Sequence, residues 1–335
     1  MFFCGSLLTI VVFLFLSYFS LPLASPSLQN YYILKDYINQ TAPKDKKRLI
    51  IMSASDGMFG IVGEMIERET EYYPINYSMF FGTGLDLEFR INKLISSLKA
   101  GDTLLLPLNF NFYSTQKNPD YFSYYQNMLS WGDNHFAINH PLLTVKTLFK
   151  SLPSQIPTGF IKHIIAHLKS QDIINKTEKR WQEGGEEFNG INTNSLDRYG
   201  ELRYHQGTLL DPKTIHSYFD ENFKVSSYFL QNYEKLVDFC VTHNIKIIVT
   251  YQPILKNPSF DLSNPNFVSI MTNFQRELLE NSINIQGDPQ YFQFPLQDFY
   301  DTPNHLNTQG AIKYTNELIK ILKLNSLRLF YPQNS

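Results

Sequence analysis

The sequence predicts an α/β fold with a central parallel sheet of about five strands, and three observations predict it. Apolar runs of strand length occur at Leu49–Met52, Thr103–Leu108 and Ile245–Thr250. Segments with apolar residues at helical spacing separate such runs, as at Leu87, Ile91, Leu94, Ile95 and Leu98. The first run also stops abruptly in small and polar residues, Ser53-Ala54-Ser55-Asp56-Gly57. Strands that alternate with helices pair in parallel through right-handed crossovers. The carboxyl ends of such strands are where ligands and reactive groups sit.

Taken in order, residues 26–47 are polar and mixed and read as a linker with one short helix. The first strand closes in Ser53-Ala54-Ser55-Asp56-Gly57, and an amphipathic helix is expected over Ile61–Glu69. A second strand, Pro74–Phe81, ends in Gly82-Thr83-Gly84, where glycines let the backbone turn sharply or approach a neighbour closely. The third strand delivers Asn109. From Phe112 to about Asp220 the rhythm breaks, so residues 112–220 read as an insertion of helix and loop, with a helix at Thr158–Lys169. A connection of that length inside a compact domain is usually functional or disordered. The sheet resumes after a helix marked by Val225, Phe229, Tyr233, Leu236, Val237 and Cys240. Asn264 as cap with Pro265 in the first turn starts another helix, whose stripe is Phe267, Met271, Phe274 and Leu278. A weak strand at Ile283–Gln286 and a last helix with Ala311, Thr315, Leu318 and Leu322 complete an α/β domain over 48–325. Residues 326–335 form a tail.

A formal net charge of -2 gives no clustered basic face, which argues against a nucleic-acid partner. Residues 1–25 read as a membrane-targeting segment. Met1 to Ala24 carry no charged side chain, and Leu7–Leu23 is almost wholly apolar, near the lower limit for spanning a bilayer. Export is expected, to a periplasmic or other extracytoplasmic site. Leu23-Ala24-Ser25 offers small residues for cleavage, yet the basic n-region of a signal peptide is missing, so a cleaved signal and an uncleaved inner-membrane anchor at 7–24 both stay open. Of the two cysteines, Cys4 lies in this segment and Cys240 on an apolar helix face, so no intrachain disulfide is expected. No Cys/His spacing suits zinc and no acidic loop suits calcium, so neither metal nor cofactor is expected. No Gly-x-Gly-x-x-Gly or Lys-bearing phosphate loop follows the first strand, which disfavours a nucleotide-binding protein.

The chemistry lies at two distant stretches. Ser55 follows the first strand, and Asp301 precedes His305 by four residues in a Pro-containing loop. Such a carboxylate can accept the imidazole Nδ1 proton, orient the ring and leave Nε2 free as a base. Serine, histidine and aspartate are the three parts of an activated nucleophile. The same residues would also serve simply to turn the chain and cap helices. His135, His140, His163, His167, His205 and His216, all in the insertion, have no partner at informative spacing and read as ordinary histidines.

These stretches resemble the SGNH (GDSL-type) hydrolases, in particular the exported, membrane-anchored branch related to enzymes that add or remove acyl groups on surface polysaccharides. The resemblance covers Arg48 to about Leu324 outside most of the insertion. Ser53 to Ile61 matches the first block with Ser55 as nucleophile; Asn76 through Gly82 is similar to the second, Asn109 to the third, and Asp301 with His305-Leu306-Asn307 and Gly310 to the last. Leu196 to Glu201 resembles a further stretch of that branch. Ser53-Ala54 stands where Gly-Asp is usual, so Ser53 is a rival nucleophile. Asn111 is a rival to Asn109, and the Asp-to-His spacing is one residue longer than in many relatives.

The resemblance implies a three-layer α/β/α, flavodoxin-like fold and a Ser55-His305-Asp301 triad. It implies an oxyanion hole from the N–H groups of Ser55 and Gly82 and the Asn109 amide. The activity implied is ester hydrolysis or acyl transfer on O-acyl, chiefly acetyl, groups of a cell-surface glycan. The alternative is an inactive relative whose insertion binds polysaccharide or assists envelope assembly.

Overall fold

The computed structural model describes residues 9–15, 26–80, 87–117, 125, 128–129, 134–150, 172–183, 193–202, 205–211, 222–256 and 261–330. Seven strands are named here: β1 (Lys47–Ile51), β2 (Tyr72–Asn76), β3 (Thr103–Leu108), β4 (Lys246–Tyr251), β5 (Ile254–Leu255), β6 (Ile285–Gln286) and β7 (Gln293–Phe294). The helices used below are α1 (Pro26–Thr41), α2 (Ser55–Gly60), α3 (Gly63–Glu69), α4 (Leu87–Ser97), α5 (Phe110–Ser114), α6 (Asn134–Asn139), α7 (Pro141–Lys150), α8 (Ser227–Thr242), α9 (Pro265–Glu280) and α10 (Thr308–Phe330).

Five strands form one parallel sheet in the order β2-β1-β3-β4-β6. The fold is α/β, flavodoxin-like in its three layers, as the sequence predicts. All of β3 is buried, as are Leu49, Ile50 and Ile51 of β1, because helices cover both faces of the sheet. Strands buried on both faces read as continuous apolar runs, which is why they stand out in the sequence. One helical layer groups α10 with α2 and α3, and the other groups α8 with α4. In α9 the Asn264 side chain caps the Asn266 N–H and Pro265 opens the helix, with Phe267, Met271, Phe274 and Leu278 buried.

The strand order places a topological switch point between β1 and β3, where crevices open at strand carboxyl ends. Residues following β1 and β3 therefore face one another there. Met52 N–H donates to Leu105 O at 3.1 Å, and Phe110 N–H donates to the Gln252 side chain at 2.7 Å. The ends of β1, β3 and β4 are thus laced together.

Four differences from the sequence reading have physical causes. Residues 26–41, read as part of a linker, are the sixteen-residue helix α1, which buries Leu28, Tyr31, Tyr32, Leu34 and Ile38 in the core. Its inward face also carries Lys35, so the apolar stripe looks interrupted. The helix expected at Ile61–Glu69 is α3, Gly63–Glu69, and an unforeseen short helix, α2, precedes it over Ser55–Gly60; Ile61 and Val62 between them are extended, which keeps the two apart. Strand β2 runs Tyr72–Asn76 rather than Pro74–Phe81. The small parallel pair β5 and β7 was not foreseen, since two-residue strands leave no apolar run. The expected helix at 158–169, His163, His167, His216, the His135 side chain and Gly82 lie outside the described residues.

Candidate active site

Ser55 opens α2 immediately beyond the end of β1. The turn beneath it is held by Ser53, the rival nucleophile, which is buried and committed. Ser53 Oγ lies 2.5 Å from Pro107 O and 3.1 Å from Asp56 Oδ2. A carbonyl only accepts, so the single hydroxyl proton goes to Pro107. When protonated, the Asp56 carboxyl can donate across the second contact; when ionised, it competes with Pro107 for the same hydroxyl proton. Burial pushes the Asp56 carboxyl up to about 7, while the Ser53 contact and the N–H groups of Gly57, Asp56 and Ala54 pull it down. Below about pH 7 Asp56 is therefore a neutral acid under the Ser55 turn.

An unfolded aspartate ionises near pH 3.9, so between that value and about 7 the folded chain holds a proton that the unfolded chain has lost. Asp56 therefore makes stability fall as pH rises through this window, and the loss is complete above it. Asp56→Asn, which keeps a donor toward Ser53, is expected to flatten that decline and to be more stable than wild type at alkaline pH by about 2–4 kcal/mol. Urea unfolding at acidic and alkaline pH checks this; parallel pH profiles for the two proteins would refute the neutral acid.

Asp301 and His305 pair as the spacing predicts. His305 Nδ1 lies 2.7 Å from Asp301 Oδ1. For the Asp301 carboxyl, burial acts upward but is outweighed by the hydrogen bond and charge of His305, so it sits below the usual carboxylate range. The loop that holds them is pinned at both ends. Phe299 and Leu306 form an antiparallel bridge, Tyr300 N–H donates to His305 O at 2.7 Å, and Asn307 N–H donates to Asp298 O at 2.9 Å. Asn307 Oδ1 accepts from Gly310 N–H in the first turn of α10. A Cβ at Gly310 would stand 2.2 Å from Asp298 O, so only glycine lets the loop backbone approach the helix this closely. This gives the His-Leu-Asn-x-x-Gly pattern its physical meaning.

The two stretches meet through Phe59. Its ring stacks on His305 with centroids 3.9 Å apart and planes 4° apart. Phe59 is one helical turn beyond Ser55, so the two residues share a face of α2. Among the described residues, no hydrogen bond joins the Ser55 hydroxyl to His305. Asn109, at the end of β3, caps α5 through Asn111 N–H, and its Nδ2 lies 3.4 Å from Asn304 Oδ1 in the loop beside His305. Asn111, its rival, contributes its backbone to that cap.

Sequence reasoning missed His205. It is 2% exposed, its ring stacks on Phe59 at 4.6 Å and lies 4.7 Å from Tyr300, and neither ring nitrogen has a hydrogen-bond partner among the described residues. Burial lowers its pKa, and His305 acts the same way, against Asp301. Burial thus favours the neutral form of this imidazole beside the Asp-His pair. Its backbone oxygen accepts from Thr308 N–H at 2.8 Å, docking this part of the insertion onto the start of α10. No spacing in the sequence signals the role, because all its neighbours are distant in the chain.

A second part of the insertion, Asp197–Leu202, straps α2 to the sheet. Asn76 N–H donates to Tyr199 O at 2.8 Å, Gly63 N–H to Glu201 Oε2 at 2.8 Å, and Leu202 N–H to Met58 O at 2.8 Å. Gly200 has φ +89°, and a Cβ there would stand 2.7 Å from Asn76 O. The fully buried Lys35 donates to Asn76 O at 2.6 Å and Gly200 O at 2.7 Å. Asn76 Nδ2 in turn donates to Gly57 O in α2 at 2.9 Å.

No protein-family model matches the chain, and no curated protein sequence matches it.

Proposed function

We propose that the protein is an exported serine hydrolase or acyltransferase of SGNH type, acting on O-acyl, chiefly acetyl, esters of a cell-surface glycan. One observation carries this reading: the imidazole engaged by Asp301 lies flat on Phe59, one helical turn from Ser55. In the reaction, His305 Nε2 takes the Ser55 Oγ proton as that oxygen attacks the ester carbonyl. Asp301 holds the ring and stabilises its cation. Ser55 N–H and Asn109 Nδ2, leaving its long contact with Asn304, meet the oxyanion. Loss of one such donor typically costs about 2.7–4 kcal/mol of transition-state stabilisation. Collapse breaks the ester C–O bond, and His305 returns its proton to the departing alcohol. Water then releases the acyl group in an esterase; a sugar hydroxyl receives it in a transferase.

The missing hydrogen bond between Ser55 and His305 favours a second reading, a non-catalytic polysaccharide-binding or envelope-assembly module. Catalytic hydrogen bonds often tighten only with substrate bound, so the first reading is preferred. Labelling by a fluorophosphonate separates the two. The wild type is expected to label and Ser55→Ala to lose the label entirely. Labelling that survives in Ser55→Ala removes Ser55 from the mechanism; an unlabelled wild type that retains polysaccharide binding favours the second reading.

A further inference from the structure

Fourteen large apolar side chains among the described residues are exposed, and eight of them fall in two stretches. Four lie between Ile10 and Phe15, and the others are Ile138, Leu142, Val145 and Phe149 on α6 and α7. The remaining six are dispersed, as single exposed hydrophobics usually are. The two stretches touch: the Phe13 and Phe149 rings are 5.4 Å apart. A contiguous exposed apolar surface of this kind marks an interaction site.

The partner's chemistry follows from what surrounds the surface. Leu142, Val145 and Phe149 fall at i, i+3 and i+7, one face of α7, while Thr147 and Leu148 face inward. Leu142 is 85% exposed and Ile138 73%. From Asn134 to Lys150 there is no acidic residue, and Lys146 on α7 is exposed. The apolar N-terminal stretch that meets α7 belongs to a run, Met1 to Leu34, without any charged side chain. An apolar stripe beside an exposed lysine, on a segment with no acidic residue of its own, fits an anionic lipid surface. No helix among the described residues is long and apolar enough to cross a membrane. At ten residues α7 is about 15 Å long, which suits lying in the interface plane.

We infer that α6 and α7 form a second membrane contact, lying in the headgroup region with Leu142, Val145 and Phe149 in the acyl boundary. The inference rests on the reading that the N-terminal run is membrane-inserted. It also orients the molecule. His140 Nε2 lies 3.4 Å from Glu88 Oε1 in the first turn of α4, at the sheet edge where Ser55 and Asn109 sit. The bilayer contact and the candidate active site therefore share one side of the protein.

The test uses the full chain with Cys4→Ser, leaving Cys240 buried and unreactive. A single environment-sensitive fluorophore is attached at Leu142→Cys or, as control, Val268→Cys, and the protein is reconstituted in phosphatidylcholine–phosphatidylglycerol vesicles. The 142 label is expected to shift to the blue and to be quenched several-fold more than the 268 label by nitroxides on the lipid acyl chains. A 142 label as wet and unquenched as 268, in protein that floats with the vesicles, overturns the contact but leaves the N-terminal reading intact. Protein that does not float overturns both. A 142 shift without vesicles that grows with protein concentration assigns the face to a second copy and also overturns the proposal. None of these outcomes bears on fluorophosphonate labelling.

Discussion

Asp301→Asn is expected to lower turnover of an acetyl ester by about 10³–10⁴-fold, with KM nearly unchanged. The carboxylate accepts the Nδ1 proton of His305 across 2.7 Å, and this bond fixes the tautomer in which Nε2 is the base. An amide in its place can present its N–H to Nδ1, which moves the ring proton to Nε2 and removes the base. The substitution is mild for the fold, since the Asp301 side chain is only partly buried and the loop is held by Asp298, Asn307 and Gly310 instead. The loss should therefore fall on kcat while the unfolding midpoint barely moves. His305→Ala should cost about as much, and the double variant little more, because residues that act as a unit are not additive. Steady-state kinetics on a chromogenic acetyl ester, beside urea unfolding, checks the pair. A decline of less than tenfold in Asp301→Asn would remove Asp301 from the catalytic set and leave it only the task of orienting the His305 ring in the resting protein.

What could be read in the chain depended on how local the governing contacts are. The strands β1, β3 and β4 were legible because burial on both faces forces continuous apolar runs. The Asp301–His305 pair was legible because both partners lie in one short loop. Ser55 was placed at a strand end by the same pattern, although its position in the first turn of a short helix, rather than in a turn before one, was not. What stayed hidden works through main-chain hydrogen bonds or through contacts between distant segments. The Asp197–Leu202 strap binds β2, α2 and α3 chiefly by backbone groups, which impose no periodicity. Phe59 reads as an ordinary core residue until His305 and His205 are both found against it. Helix α1 was expected only as one short helix in a linker, because a lysine stands where its stripe calls for an apolar side chain.

That lysine carries the largest stability prediction. Lys35→Met is expected to destabilise the fold by about 3–5 kcal/mol, the usual cost of removing one member of a buried charge cluster. The Lys35 ammonium donates to Asn76 O and Gly200 O in the interior. Burial pushes its pKa down to about 7, against the pull of Glu201 and Asp197. Methionine fills the volume but takes this donor from two carbonyls and removes the attraction of the ammonium for buried Glu201 and Asp197. Lys93→Met is the control: its pair with Asp36 is partly exposed and worth at most about 1 kcal/mol. Urea unfolding at about pH 6, where the Lys35 ammonium is charged, separates them. Equal midpoints for the two variants would mean that the cluster is electrostatically idle. Because Asn76 and the strap also hold α2, the same change should slow ester turnover without touching the triad. A Lys35→Met protein that is unstable yet fully active per folded molecule would show that the strap supports the fold and not the placement of Ser55.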